Sequence, residues 1–286
     1  MVKQIVNLFK LRIGVIMSAT AVVALAITPG RPVQGWEVIV LALAVLIAAA
    51  SAGAFNQYYE VDLDQRMGRT KRRPFVTGEF QHSRTWLLLI SVLLLIGVAG
   101  AGFALNGMAA LHIFLGAFFY AVVYTVLLKR RTWLNIVIGG AAGSFAVLAG
   151  AAVVDPVGLT PIPALLAIVL FLWTPSHFWS LAIAQHKDYA AAGVPMLPVV
   201  VGDPVAARAV LGNTLALVTV SILPFFFGMG WIYLLGAVAG GGYFLYRNLQ
   251  LVKNPSPKVA MKSFFASLIQ LGVLLTCAVL DVSLPG

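Results

Sequence analysis

Along the chain, apolar runs of membrane-crossing length are separated by short polar breaks, and the runs lack the alternation of a lipid-facing barrel strand. Inside a bilayer the backbone has no water to bond, so such runs satisfy their peptide groups as helices. A crossing takes roughly 20 apolar residues. On that measure the pattern predicts helices near 12–28, 36–58, 86–105, 108–128, 135–154, 161–184, 208–228, 230–250 and 263–283. The expectation is an all-α polytopic membrane protein with nine transmembrane helices, a single domain over residues 1–286. The first run follows Lys3, Lys10 and Arg12 and ends in small residues, as a signal peptide does. No soluble stretch follows it, and it reads as a retained span.

Composition agrees with the pattern. Of 286 residues, 61% are hydrophobic and 10% are charged, more apolar surface than a soluble domain of this size hides. The single cysteine, Cys277, lies in the last apolar run, which excludes a disulfide within the chain and a multi-cysteine metal site.

The basic residues set an orientation. Lys3, Lys10 and Arg12 precede the first span; Arg66, Arg69, Lys71, Arg72, Arg73 and Arg84 lie between the second and third; Lys129, Arg130 and Arg131 lie between the fourth and fifth. Lys187 and Arg208 fall between the sixth and seventh, and Arg247, Lys253, Lys258 and Lys262 between the eighth and ninth, which leaves Arg31 alone on the other side. The positive-inside rule then predicts a cytoplasmic N-terminus and an outside C-terminus. This bias, with attraction to anionic headgroups, accounts for the net charge of +10 without a nucleic-acid partner.

Acids are scarce, nine in all, and Glu60, Asp62 and Asp64 share one short stretch, NQYYEVDLDQRMGRTKRRP. Asn56, Glu60 and Asp64 are four apart, so a helix stacks them along one face with about 6 Å of rise between neighbours. The two carboxylates repel each other where screening is poor, so a cation is expected beside them, and hard oxygen ligands point to Mg2+. Arg66, Arg69, Lys71, Arg72 and Arg73 follow directly. Metal-binding oxygens next to guanidinium and ammonium donors suit a diphosphate leaving group, whose developing charge they neutralise. Asp62 points off that face and is placed to brace Arg66 at i+4. The plainer alternative is an interfacial loop held by ion pairs.

A second polar island, LFLWTPSHFWSLAIAQHKDYAAAGVPMLPVVVGD, lies between the sixth and seventh spans. Lys187 and Asp188 are expected to face the first acidic helix across a shared cavity, holding a second metal or the far end of the diphosphate; a loop solvated by one acid is the alternative. His177 follows Trp173, Thr174 and Pro175 in an apolar helix. On an uninterrupted helix it stacks above Asp188, eleven residues on. An intramembrane histidine serves either as a ligand or substrate contact or as a hydrogen-bonded bridge between helices.

The strings NQYYEVDLDQRMGRTKRRP with Val76, Thr77 and Gly78, TPSHFWSLAIAQHKDY, and AGVPMLPVVVGD carry a resemblance over most of the chain to the UbiA superfamily of intramembrane prenyltransferases, and within it to the branch that farnesylates protoheme IX. Asn56, Glu60 and Asp64 match the N-x-x-x-D-x-x-x-D motif with Glu for the first Asp. Asp188 matches the second motif, where Ala192 stands at the position of a second acid. The resemblance implies nine helices around a central cavity open sideways to lipid, in a multi-pass protein of the cell (inner) membrane with the polar cap and active site on the cytoplasmic side. It implies transfer of the farnesyl group of farnesyl diphosphate to a vinyl group of heme B with addition of water, giving heme O. It assigns Asn56, Glu60, Asp64 and Asp188 to one or two Mg2+ ions, Arg69, Lys71, Arg72, Arg73 and Lys187 to the diphosphate, and His177 to heme, with Asp62 and Arg66 supporting them. It also implies a role in heme A and terminal-oxidase biogenesis, with a downstream heme A synthase as partner. The competing readings are a prenyltransferase for a quinone precursor or chlorophyllide, a transporter or channel, and a heme-bearing electron carrier using His112 and His177.

Overall fold

The computed structural model describes residues 2–157 and 159–284; the side chain of Lys3, one of the residues used for orientation, lies outside the description. Every regular element among the described residues is helical: α1 (Val2–Leu8), α2 (Leu11–Ile27), α3 (Gly35–Tyr59), α4 (Val61–Arg66), α5 (Pro74–Thr77), α6 (Arg84–Ala104), α7 (Gly107–Phe118), α8 (Asn135–Gly139), α9 (Ala141–Val154), α10 (Pro161–Ala184), α11 (His186–Ala191), α12 (Leu197–Val201), α13 (Asp203–Ile222), α14 (Trp231–Lys253) and α15 (Pro257–Ser283). Helix α7 runs on into a π-helical segment, Phe119–Leu128, and α13 into a short 3-10 turn, Leu223–Phe227.

Each expected span falls on one of these helices or on two joined end to end, as α7 runs into the π segment and α8 into α9. Among the described residues seven such stretches are long and apolar enough to cross a membrane, whereas α2 has 17 residues and is too short on that measure. Helix α14 has the length, but its glycines, tyrosines, Arg247 and Asn248 dilute its hydropathy. Proline starts several helices where a missing N–H costs nothing, as at Pro161 of α10 and Pro257 of α15. Helix α10 continues through Pro175.

The long helices form two closed rings. In the first, α2 packs on α3, α3 on α6, α6 on α7, α7 on α9, and α9 returns to α2; in the second, α10, α13, α14 and α15 close on one another. The rings meet where α9 packs on α10 and where α2 packs on α15 and α10. Each ring has its own apolar core, with Leu41, Val45 and Ile113 in the first and Leu170, Leu217, Phe244 and Leu274 in the second. In lipid there is no hydrophobic drive between helices, so close packing and internal hydrogen bonds hold them. Gly150 of α9 supplies the first: a Cβ there would run into the Ala21 backbone carbonyl of α2.

The second ring supplies the other. Asn213 of α13 donates to Ser176 Oγ of α10 at 2.7 Å, Thr214 to the same oxygen at 2.8 Å, and Asn248 of α14 to Thr214 Oγ1 at 2.8 Å. Ser263 of α15 donates to Asn248 Oδ1 and meets Ser180 of α10 at 2.9 Å. All four helices of the ring are thus stitched by uncharged groups.

Because backbone rather than a pliable side chain blocks the Gly150 position, Gly150→Val forces α2 and α9 apart. A loss of about 1–3 kcal/mol is expected, read as a lower midpoint of unfolding in mixed detergent; an unchanged midpoint contradicts the contact.

Candidate functional site

The candidate metal face forms where α3 ends. Glu60 sits between α3 and α4 at φ −100° and ψ 21°, and the i to i−4 bonds run through it: Glu60 N–H donates to the Asn56 carbonyl at 3.1 Å and Asp64 N–H to the Glu60 carbonyl at 2.9 Å. Asn56, Glu60 and Asp64 therefore keep the stacking that their spacing predicts. They are 2%, 0% and 2% exposed.

Each of the three meets a cation from another part of the chain. Lys10 Nζ donates to Asn56 Oδ1 at 2.6 Å, Lys129 Nζ to Glu60 Oε2 at 2.5 Å, and Arg73 to Asp64 Oδ2 at 2.6 Å. Asn56 also donates to Thr125 Oγ1 at 3.0 Å, and Lys10 to the Tyr120 hydroxyl at 2.8 Å. Glu60 Oε1 is buried and has no hydrogen-bond partner among the described residues.

Local structure delivers these cations. Lys10 is the one non-glycine residue among those described with positive φ, 47°, a left-handed turn between α1 and α2 that costs of order 1–3 kcal/mol. Its stem lies over Gly53, where a Cβ would approach it to 3.2 Å, so the head reaches Asn56. The π winding of Phe119–Leu128 advances about 4.4 residues per turn rather than 3.6. Thr125 Oγ1 bonds the Tyr120 carbonyl at 2.8 Å and Lys129 N–H bonds the Tyr124 carbonyl at 2.9 Å, both five residues back. That winding aims Thr125 at Asn56 and Lys129 at Glu60. Burial pushes the Lys10 ammonium well below the usual lysine range and the Asp64 carboxyl above the usual carboxylate range, with Arg73 pulling the latter back.

A cavity of about 450 Å³ opens beside this face, between α1, the start of α2 and the segment before α5, and Lys10, Arg12, Arg69, Arg72 and Arg73 line it with Asn7, Gln57 and Thr70. A basic cavity adjoining buried oxygen donors can hold a polyanion at one end and a hard cation at the other. The orphaned Glu60 oxygen and the donor set Asn56, Glu60 and Asp64 fit Mg2+.

Several expectations need correction. Asp62 does not brace Arg66; Arg130 takes it in a two-point grip at 2.7 and 2.8 Å, because the fold brings the turn after the π segment across the exposed side of α4. Arg66 is exposed, and so are Lys71 and Lys187, neither of which lines the cavity. Asp188 does reach the first island, but its Oδ2 accepts the Arg69 backbone N–H at 3.4 Å and its carboxylate lies against Gly68. Among the described residues no three His, Cys, Asp or Glu side chains gather as a metal cage, so Asp188 does not complete one with Glu60 and Asp64. The helix from His177 to Asp188 is interrupted at Gln185, φ −115° and ψ 29°, where α10 gives way to α11, although Tyr189 N–H still donates to the Gln185 carbonyl at 3.2 Å.

His177 is buried between α10 and α15, stacked on Trp173 at 4.2 Å and against Phe264 at 4.3 Å. Its Nδ1 meets Ser267 Oγ at 2.6 Å, and that hydroxyl donates to the Phe264 carbonyl at 2.6 Å. The proton of the pair therefore sits on Nδ1, and Nε2 keeps its lone pair with no partner among the described residues. His112 is on α7 of the first ring, stacked on Phe145, so the two histidines belong to different rings.

Residues 17–269 match the model of the UbiA prenyltransferase family. The chain belongs to that family. It is 55% identical over 284 residues to Protoheme IX farnesyltransferase 2 of Paramagnetospirillum magneticum, covering 99% of this chain and 98% of that one. Its fold matches a solved digeranylgeranylglyceryl phosphate synthase with a TM-score of 0.80 at 17% identity, over 98% of each chain. It also matches a UbiA homologue of Archaeoglobus fulgidus, solved with DMAPP and Mg2+, with a TM-score of 0.71 at 16% identity, over 96% of this chain and 99% of that one.

Sequence reasoning used Lys10, Arg12 and Lys129 only to orient this UbiA chain. The signal that could have found them is the same charge rule, which puts all three at the membrane face that carries the acidic motif. If the cavity holds phosphate oxygens, Lys10→Met and Arg12→Met each weaken binding of inorganic diphosphate with Mg2+ about tenfold, the worth of one charge-assisted hydrogen bond. Lys71→Met stays within about twofold, as befits an exposed charge outside the cavity wall. Equilibrium titration by calorimetry checks this, and equal losses in all three variants exclude the cavity as the binding place.

Proposed function

We propose that this prenyltransferase moves the farnesyl group of farnesyl diphosphate onto a vinyl group of heme B, with addition of water, to give heme O and diphosphate. The observation that carries the reading is the near full-length 55% identity to a protoheme IX farnesyltransferase, joined in this chain to a basic cavity whose Lys10 and Arg73 also bond Asn56 and Asp64.

Asn56, Glu60 and Asp64 would hold Mg2+, and the ion would supply Lewis-acid neutralisation of the diphosphate oxygens. Arg69, Arg72, Arg73, Lys10 and Arg12 grip the leaving diphosphate while the carbon–oxygen bond breaks. Asp188 fixes the Arg69 backbone from the neighbouring polar loop, which keeps that guanidinium at the cavity wall. The allylic carbon bonds to the outer vinyl carbon of heme, a water oxygen bonds to the inner one, and one proton leaves. The apolar rings exclude bulk water, which would otherwise give farnesol. His177, held through Nδ1, offers Nε2 to the heme.

In this reading α2 and α14 also cross the membrane, making nine crossings. The N-terminus and the site face the cytoplasm and the C-terminus lies outside, in a cell (inner) membrane. The pairings support one-sidedness, because Lys10, Arg73, Lys129 and Arg130 converge on one end, while Arg31 is engaged elsewhere by Glu37 at 2.5 Å. Heme O then passes to an enzyme that oxidises it, the role of a heme A synthase.

Mass spectrometry of porphyrins extracted after incubation with heme B, farnesyl diphosphate and Mg2+ tests the reaction. A mass gain of farnesyl plus water is expected, and an unaltered porphyrin beside a prenylated quinone precursor overturns it. Asp64→Ala abolishes turnover and leaves heme binding intact; near-normal turnover removes Asp64 from the metal face. His177→Ala shifts the absorption spectrum of bound heme while binding of Mg2+ with a farnesyl diphosphate analogue persists. A spectrum and heme affinity equal to wild type confine His177 to bridging α10 and α15.

A further inference from the structure

Lys10, Lys129 and Arg73 come from three segments far apart in sequence, yet each ends on one of the three oxygen-bearing side chains of the metal face, at 2.6, 2.5 and 2.6 Å. From this geometry we infer that the three are positioning residues that couple the two ligands: as resting counter-ions they keep Mg2+ off the face until a diphosphate arrives to take them over. The inference rests on the proposed reading of Asn56, Glu60 and Asp64 as the Mg2+ site, and it gives Lys10, Lys129 and Arg73 a second role, that of refusing the metal alone.

Charge carries the argument. The face holds two carboxylates against three basic groups, a net of one positive charge. A divalent cation added alone leaves a buried excess of three positive charges, and it must also displace two short ion pairs whose basic members then have no anion. A prenyl diphosphate brings about −3, one charge on the inner phosphate and close to two on the terminal one. Metal and diphosphate together return the cluster to about neutral.

The geometry offers the basic groups somewhere to go. Lys10 and Arg73 line the diphosphate cavity as well as the metal face, so each reaches phosphate oxygens by a rotamer change at one shared wall. Lys129 is held to Glu60 from the end of the π segment and over the Tyr124 ring at 5.6 Å, outside the cavity wall. It is the lock most specific to the resting state. The partnerless Glu60 Oε1 is the one oxygen of that carboxylate left open to a metal.

The test is binding, not turnover. Mn2+ is titrated into the purified full-length protein with and without inorganic diphosphate, and the free ion is read by electron paramagnetic resonance. Wild type is expected to bind Mn2+ about 100-fold more tightly with diphosphate, near the upper end of common coupling factors, and by linkage Mn2+ tightens diphosphate by the same factor. Lys129→Gln binds Mn2+ alone about tenfold more tightly than wild type and loses a matching part of the coupling, whereas Lys129→Arg restores it. A merely structural lysine gives the opposite sign, since its loss weakens both ligands. Lys10→Met repeats the measurement at Asn56 through a different segment, so the test survives misfolding of either variant. Wild-type Mn2+ affinity independent of diphosphate, or metal-alone affinity that does not rise in the variants, overturns the inference and leaves the proposed reaction standing. Absence of Mn2+ binding under both conditions overturns the metal face itself.

Discussion

Glu60 and Asp64 place two carboxylates one helical turn apart, out of water, at the end of a helix long enough to cross a membrane. Unpaired charges there cost several kcal/mol each, so the surrounding chain must either neutralise them or abandon the geometry. It neutralises them. Lys129 reaches Glu60 from the far end of the π segment, Arg73 reaches Asp64 from the turn before α5, and Lys10 closes the row at Asn56. The irregular features of this end of the molecule answer the same demand: the left-handed backbone at Lys10 and the π winding before Lys129 both spend conformational energy to aim a cation. Strain that would be pointless in a scaffold is intelligible where a buried charge repays it.

The same constraint explains which pairs matter. The Asp62–Arg130 pair makes two parallel contacts, yet its side chains are 54% and 36% exposed and water competes for both. The Lys129 contact to Glu60 is a single one, with side chains 12% and 0% exposed, so water does not compete for it. Energetic weight follows burial rather than the count of contacts.

The parts of this arrangement that depend on period and composition were legible in the sequence. Runs of roughly 20 apolar residues marked the helices, and the spacing of Asn56, Glu60 and Asp64 survived the break at Glu60 because its hydrogen bonds continue across it. Pairings between segments were not legible. Asp62 had Arg66 at i+4, a sound local partner, but Arg130 is delivered by tertiary packing that no local rule contains. The eleven-residue interval from His177 to Asp188 assumed one uninterrupted helix, whereas α10 gives way to α11 at Gln185 and Asp188 turns to the Arg69 backbone, a pairing that no local rule contains. Lys10 and Lys129 looked like topological charges because neither has an acid near it in sequence; only the closure of the first ring brings them to the Asn56–Asp64 motif.

The two rings solve the problem of polarity in lipid in opposite ways, and the seam between them follows from that. The second ring buries hydroxyls and amides that satisfy one another, Ser176, Asn213, Thr214, Asn248 and Ser263, so its interior is uncharged, and its basic residues Arg208, Lys253, Lys258 and Lys262 are exposed. The first ring concentrates ionised groups at one end. His177 is built into the neutral ring, and the acidic motif into the charged one. Helix α2 packs against both rings, and the turn that starts it presents Lys10 to the acidic motif. In the proposed reaction a polyanion held at the charged end and an acceptor held along the second ring meet across the helices where the rings touch, α2, α9, α10 and α15. An ionised donor and a hydrophobic acceptor need different solvents, and a ring with a charged end packed on a ring with an uncharged interior suits both.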